Sequence, residues 1–176
     1  GLSSANAVTG KIGQALNFGN NQYVASSSAA NFLSPSTSFT VSSWINTPTP
    51  AGNKTVFGKA TANEREVQLL LNSSGSVSSF VGGANNTATA VLSANQWIHL
   101  VLVNDTSSGL SHIYTNGALT KSLAPGSVTA PGIDFLIGAR RNSTNTDSTI
   151  YFSGYIDDVR IYNRALSQSE ISSIYN

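Results

Sequence analysis

The sequence predicts an all-β fold: a two-sheet antiparallel β-sandwich (jelly roll) with one short C-terminal helix. Three observations predict it. Apolar residues recur at every second position along several runs, the spacing that gathers them on one face of a strand. Gly, Asn and Ser cluster between those runs at short intervals, as they do in turns between antiparallel strands. A helix-start signature occurs near the C-terminus.

In "SFTVSSWIN", Phe39, Val41 and Ile45 fall on one face, with Thr40, Ser42 and Trp44 on the other. "EREVQLLL" (64–71) and "GSVSSFVG" (75–82) flank "NSSG" and read as a hairpin. "QWIHLVLVND" (96–105) is apolar on both faces, which suits a central strand covered on both sides. "LSHIYTNGALTKSL" (110–123) carries Asn116-Gly117, a type I′ hairpin signal because both central residues need positive φ. "DFLIGAR" (134–140) and "TIYFSGYIDDVRIYN" (149–163) supply further strands, the second broken or bulged near Gly154. The helix starts at "LSQSEI": Ser167 is the N-cap, Glu170 completes a capping box, and Leu166 and Ile171 form a hydrophobic staple.

Composition narrows the function. At 176 residues the chain reads as one domain, residues 1–176, large enough for a core of its own. Only 10% of residues are charged and the net charge is +1, with no basic run, so nucleic acid is not an expected partner. No apolar run approaches the roughly 20 residues that cross a bilayer, and membrane insertion is not expected. No secretory leader is visible, so the chain reads as a mature or excised module of a larger multidomain protein. The absence of Cys removes thiol catalysis, thiolate metal sites and disulfides. Ser, Thr and Asn supply the polarity instead, and low charge with no Cys or Met points to an extracellular or cell-surface location.

"GKIGQALNFGNNQYV", "SFTVSSWI", "QWIHLVLVND" followed by "IYTNGALT", "FLIGAR" and "FSGYIDDVRIYNRALSQSEI" occur in that order. Together, over roughly residues 10 to 175, they resemble the laminin-G-like domains of the concanavalin A-like lectin/glucanase superfamily, which are related to pentraxins. The C-terminal block is the most specific part. The resemblance implies a jelly roll with a concave face, loops that commonly bind glycans and, in many members, a calcium ion at the sandwich edge. It also implies a mostly non-catalytic module of secreted enzymes, adhesins or surface proteins, although fold alone does not fix function.

The candidate sites are weighed on strand parity. Successive residues point to opposite faces, so Asp157 and Asp158 cannot converge on one substrate atom. Asp157 shares a face with Val159 and Ile161 and is expected inward, as a backbone anchor or a calcium carboxylate; Asp158 is expected outward, paired with Arg160. Calcium needs six to eight oxygens. The loop that supplies ligands in the family here reads "NFGNNQY", offering Asn17, Asn20 and Asn21 but no acid, with Asp134 and Asp147 as further acids. Glu64 and Glu66 share a face and are the nearest approach to the paired carboxylates of a glycosidase, but no third acid follows. His99 reads as a packed histidine. Trp97 is expected in the core, and Trp44 either in the second layer or on the concave surface. The ligand-binding candidates are Lys59, Glu66, Gln68, Arg140, Arg141, Asn142 and Trp44, the residue types that make up sugar sites, with Tyr151 and Tyr155 as further aromatics.

These expectations describe a non-catalytic carbohydrate-binding or adhesion module whose partner is a glycan or cell-surface polysaccharide. The alternative is a purely structural or protein-interaction domain of a surface protein or fibre. A glycan-cleaving enzyme comes third.

Overall fold

A computed structural model of the chain describes residues 2–19, 21–26, 33–130, 132–142, 144 and 148–176. Two antiparallel sheets dominate it. The first has the order β1 (Ala7–Thr9), β2 (Gln14–Phe18), β15 (Gly154–Tyr162), β4 (Phe39–Asn46), β9 (Ile98–Asp105), β10 (Leu110–Thr115), β11 (Ala118–Leu123). The second runs β3 (Val24–Ser26), β12 (Phe135–Ile137), β5 (Lys54–Ala60), β6 (Arg65–Leu71), β7 (Ser76–Val81), β8 (Ala84–Val91). A short ladder of β13 (Arg140–Arg141) and β14 (Ser148–Thr149) sits beside the second sheet, and α1 (Gln168–Tyr175) ends the chain.

The core forms where the two inward faces meet. Phe39, Val41 and Ile45 of β4 and Leu100 and Leu102 of β9 pack with Val67, Leu69 and Leu71 of β6 and with Phe57 and Phe135, all fully buried. The predicted parity of β4 therefore holds. β9 lies between β4 and β10, the central place its two apolar faces require. Asn116 and Gly117 both have positive φ, as the hairpin between β10 and β11 demands.

The outward face of the first sheet is also covered. Val101, Val103 and Tyr114 pack under Leu166 and Ile171 of the C-terminal segment, forming a second apolar layer. The capping box forms as the sequence predicts, and Arg164 clamps Glu170 with a bidentate ion pair at 2.7 and 2.9 Å. Thr40 ties the segment down: its Oγ1 donates to the Arg164 carbonyl and accepts the Leu166 N–H. Beyond this layer, the Trp44 ring is stacked on Tyr175 at 5.5 Å and lies 5.0 Å from His99, with the Lys11 ammonium 4.8 Å above it.

One expectation about β15 fails. Asp157 is paired with Trp44, and Arg160 with Ser42, so β15 carries one residue more than β4 across this step. Asp158 absorbs the extra residue at φ 45°, and the alternation is reset. Ile156 and Ile161 face the core, whereas Asp157 joins Trp44 on the outward face. There it is buried under the turn between β1 and β2: one carboxylate oxygen accepts the Ile12 N–H at 2.8 Å and the other the Asp158 N–H at 2.7 Å. A Cβ on Gly10 would stand 2.4 Å from this carboxylate, so the turn closes over Asp157 only because residue 10 has no side chain. Asp158 pairs with Arg160, as predicted, at 2.9 Å.

His99 is 1% exposed, and burial pushes its pKa from 6.5 down to about 4, a shift that Asp158 partly opposes and Arg160 reinforces. The unfolded chain therefore binds this proton more readily than the folded one. Stability from this group is full above pH 6.5 and falls as pH drops toward 4, by up to about 1.4 kcal/mol per pH unit. Denaturant melts of His99→Phe, which keeps a ring against Trp44, should show a shallower loss between pH 6.5 and 4.5 than the wild type. An identical slope would remove His99 as its source.

Candidate functional site

With the first sheet covered, the outward face of the second sheet holds the candidate site. Along β6, Val67, Leu69 and Leu71 face the core, leaving Gln68 and Leu70 outward. A second bulge alters the start of this strand. Lys59 pairs with Val67 but Ala60 pairs with Arg65, so Glu66 is the extra residue. Arg65 thereby returns to the face of Gln68, its guanidinium 4.3 Å over the ring of Phe80, the β7 residue paired with Gln68. Glu66 turns away and is buried, bonded to Lys59 Nζ at 2.7 Å and accepting the Ala130 N–H at 2.9 Å.

Asn53, Arg65, Gln68, Leu70, Arg140 and Ile150 enclose a recess of about 140 Å³. Gln68 forms its floor. The side chain is buried; its Nε2 donates to Thr55 Oγ1 at 2.8 Å, and its Oε1 has no partner. Leaving a buried acceptor unpaired costs about 1–3 kcal/mol, a cost that a bound donor would remove. Arg140 forms one wall and donates to the Thr61 carbonyl at 2.7 Å. Burial, and then the positive charge of Arg65, hold its guanidinium below the ordinary arginine pKa. Among the described residues neither arginine has a carboxylate within ion-pair distance. The rim is strained: Ile150 has φ 55°, which a β-branched residue rarely adopts, and its carbonyl accepts the Thr55 N–H at 3.1 Å. The recess is thus lined by two braced cations and backed by one buried acceptor without a partner, a combination suited to a hydroxylated or anionic ligand.

The structure brings Gln68 and Arg140 together and disperses the other candidates. Lys59 and Glu66 are spent on their buried ion pair: Lys59 lies opposite the core residue Val67, and the bulge turns Glu66 off the face of Gln68. Glu64 is exposed on the preceding turn, so Glu64 and Glu66 do not share a cleft. Arg141 points away from Arg140, to Asp134 at 2.7 Å and over the Tyr23 ring at 5.7 Å. Asn142 folds back on its own turn, accepting from Thr144 N and Oγ1. Trp44 is not a sugar platform: it is 3% exposed on the other sheet, covered by Tyr175 and Lys11. Trp97 is half-buried rather than in the core and lies 6.3 Å from the exposed Tyr155. Tyr151 is half-buried. Arg65 escapes sequence reasoning because only the register shift puts it beside Gln68, and no sequence signal marks that shift.

For the metal candidates, Asp157 already has both oxygens on backbone N–H groups. Asn17 is exposed on β2 and its carbonyl accepts from Asn6 Nδ2, while Asn20 and Asp147 lie outside the described residues. No three His, Asp or Glu side chains converge among the described residues. This donor set fits a backbone anchor better than a calcium cage.

A family described as the concanavalin A-like lectin/glucanase superfamily, of laminin-G-like type, matches residues 18–172. The chain belongs to this superfamily. Human pentraxin-related protein PTX3 is 33% identical over 145 residues, which cover 76% of this chain and 38% of PTX3; the bovine protein is 34% identical over 144 residues. The chain thus spans less than two fifths of these relatives. Among solved structures, domain 4 of AbnA, a GH43 extracellular arabinanase from Geobacillus stearothermophilus in complex with arabinotriose, superposes with TM-score 0.71 at 22% identity, covering 97% of this chain and 80% of that one. The Ruminococcus gnavus IT-sialidase CBM40 bound to α2,3-sialyllactose gives TM-score 0.77 at 15% identity, covering 92% and 96%. At these identities the two structures establish the shared fold.

The Lys59–Glu66 pair generates a stability prediction. Glu66→Ala leaves a nearly buried ammonium unpaired and should cost about 3–5 kcal/mol in a denaturant melt. The apolar double replacement Lys59→Met with Glu66→Leu should recover most of that loss. Equal destabilisation of single and double variants would contradict the buried pair.

Proposed function

We propose that this chain is a non-catalytic carbohydrate-binding module of a secreted or cell-surface protein, and that it holds a glycan in the recess of Arg65, Gln68 and Arg140. The observation that carries the reading is Gln68: a buried side chain whose Oε1 has no partner, lining an open recess between two arginines that have no carboxylate partner among the described residues. Sugar hydroxyls are suited to such an acceptor, and planar guanidinium groups to ring oxygens and hydroxyls. The likeness to an arabinanase domain in complex with arabinotriose and to a sialidase module bound to sialyllactose supports a glycan as the class of ligand. The extracellular arabinanase supports the location, and the partial coverage of the curated relatives supports a place within a larger protein.

A second reading, a structural or protein-interaction domain, draws on one observation. The described lining of the recess carries no aromatic ring, and both tryptophans are engaged elsewhere. A glycan array decides between the two readings. Binding is expected for the wild type, with loss of at least about tenfold in Gln68→Leu and Arg140→Ala, while Arg141→Ala keeps it. A broad array without hits would favour the structural reading.

Calcium is tested separately, by melting. With Asp157 anchored on backbone N–H groups, EDTA should leave the midpoint unchanged. A drop that calcium reverses would reinstate Asp157 as a metal ligand.

A further inference from the structure

The charge of the recess narrows the ligand. Arg65 and Arg140 line one small cavity, and each is without a carboxylate partner among the described residues. Arg65 is braced on the Phe80 ring and Arg140 on the Thr61 carbonyl, so both guanidinium groups are held in place before a ligand arrives. The nearby buried acid, Glu66, is already neutralised by Lys59 and does not offset them. Two like charges held together in a partly desolvated site repel one another, and an anion between them turns that repulsion into attraction. A carboxylate fits because guanidinium binds it through paired N–H donors.

We infer, on the basis of the glycan-binding reading above, that the recess recognises an acidic sugar, with the ligand carboxylate between Arg65 and Arg140 and a ligand hydroxyl donating to Gln68 Oε1. Both halves of that contact have a counterpart in the site: two cations without an anion among the described residues, and one acceptor without a donor. Size adds a further limit. A cavity of about 140 Å³ is smaller than the roughly 300–1,000 Å³ typical of drug-sized ligands. It therefore holds one acidic unit, such as a chain end or a branch, with the rest of the glycan outside.

Titration calorimetry tests this with four probes on the intact chain: uronate and sialylated oligosaccharides, the same compounds with the carboxyl reduced to an alcohol, neutral oligosaccharides, and sulfated ones. Carboxylated probes should bind at least about tenfold more tightly than their reduced counterparts, the worth of one charge-assisted contact. That preference should shrink as salt rises. Arg65→Gln should abolish it while leaving the melting midpoint within about 2 °C of wild type, as expected for an exposed-face substitution. Arg140→Gln provides the second check, and Gln68→Leu should weaken reduced and carboxylated probes alike. Equal or tighter binding of neutral or reduced probes, with Gln68 still required, would overturn the acidic ligand and leave the glycan reading standing. Tighter binding of sulfated than of carboxylated probes would likewise overturn the carboxylate. Binding to none of the four would overturn both readings.

Discussion

Phe39, Val41, Ile45, Leu100 and Leu102 of one sheet meet Val67, Leu69, Leu71 and Phe135 of the other, and the rest of the molecule is arranged around that contact. Burying both inward faces commits alternate residues of the central strands to the interior. What remains for function is the pair of outward faces. Their fates differ. On the first sheet, Val101, Val103 and Tyr114 make a second apolar surface, too large to leave in water, and the C-terminal helix covers it. The second sheet keeps an outward face of Gln68, Leu70, Phe80 and Arg65, and it is there that a polar recess survives.

Two bulges decide where the charged residues go. A single extra residue in a strand exchanges the faces of everything beyond it. At Asp158, the reset sends Asp157 out of the core and under the turn at Gly10, where backbone N–H groups satisfy it. At Glu66, the reset buries one acid with Lys59 and carries Arg65 onto the outward side. The same device therefore removes two carboxylates from chemistry and gathers two cations at one site. The separation of Glu64 from Glu66, the positive character of the recess and the buried anchor at Asp157 all stem from these two local insertions.

The outward layer on the first sheet also explains the histidine. His99 packs against both Trp44 and Tyr175, so its proton would have to enter an aromatic cluster. Burial keeps the ring neutral well below its ordinary pKa. The packed histidine that the sequence leads one to expect is thus part of the seating of the helix.

The sequence by itself determined the sandwich: the alternation in β4, the two-sided β9, the Asn116-Gly117 turn and the Ser167–Glu170 capping box are local patterns, and local sterics and hydrogen bonding suffice to specify them. It also determined residue types, and so named Gln68 and Arg140. Tertiary structure decided which of those residues meet. Strand parity extrapolates only until a bulge, and whether a bulge forms depends on the partner strand, which can lie far along the chain. That is why parity alone misplaces Asp157 and Glu66, why Trp44 finds its place only under the helix that covers it, and why Arg65 joins the recess with no local pattern to announce it.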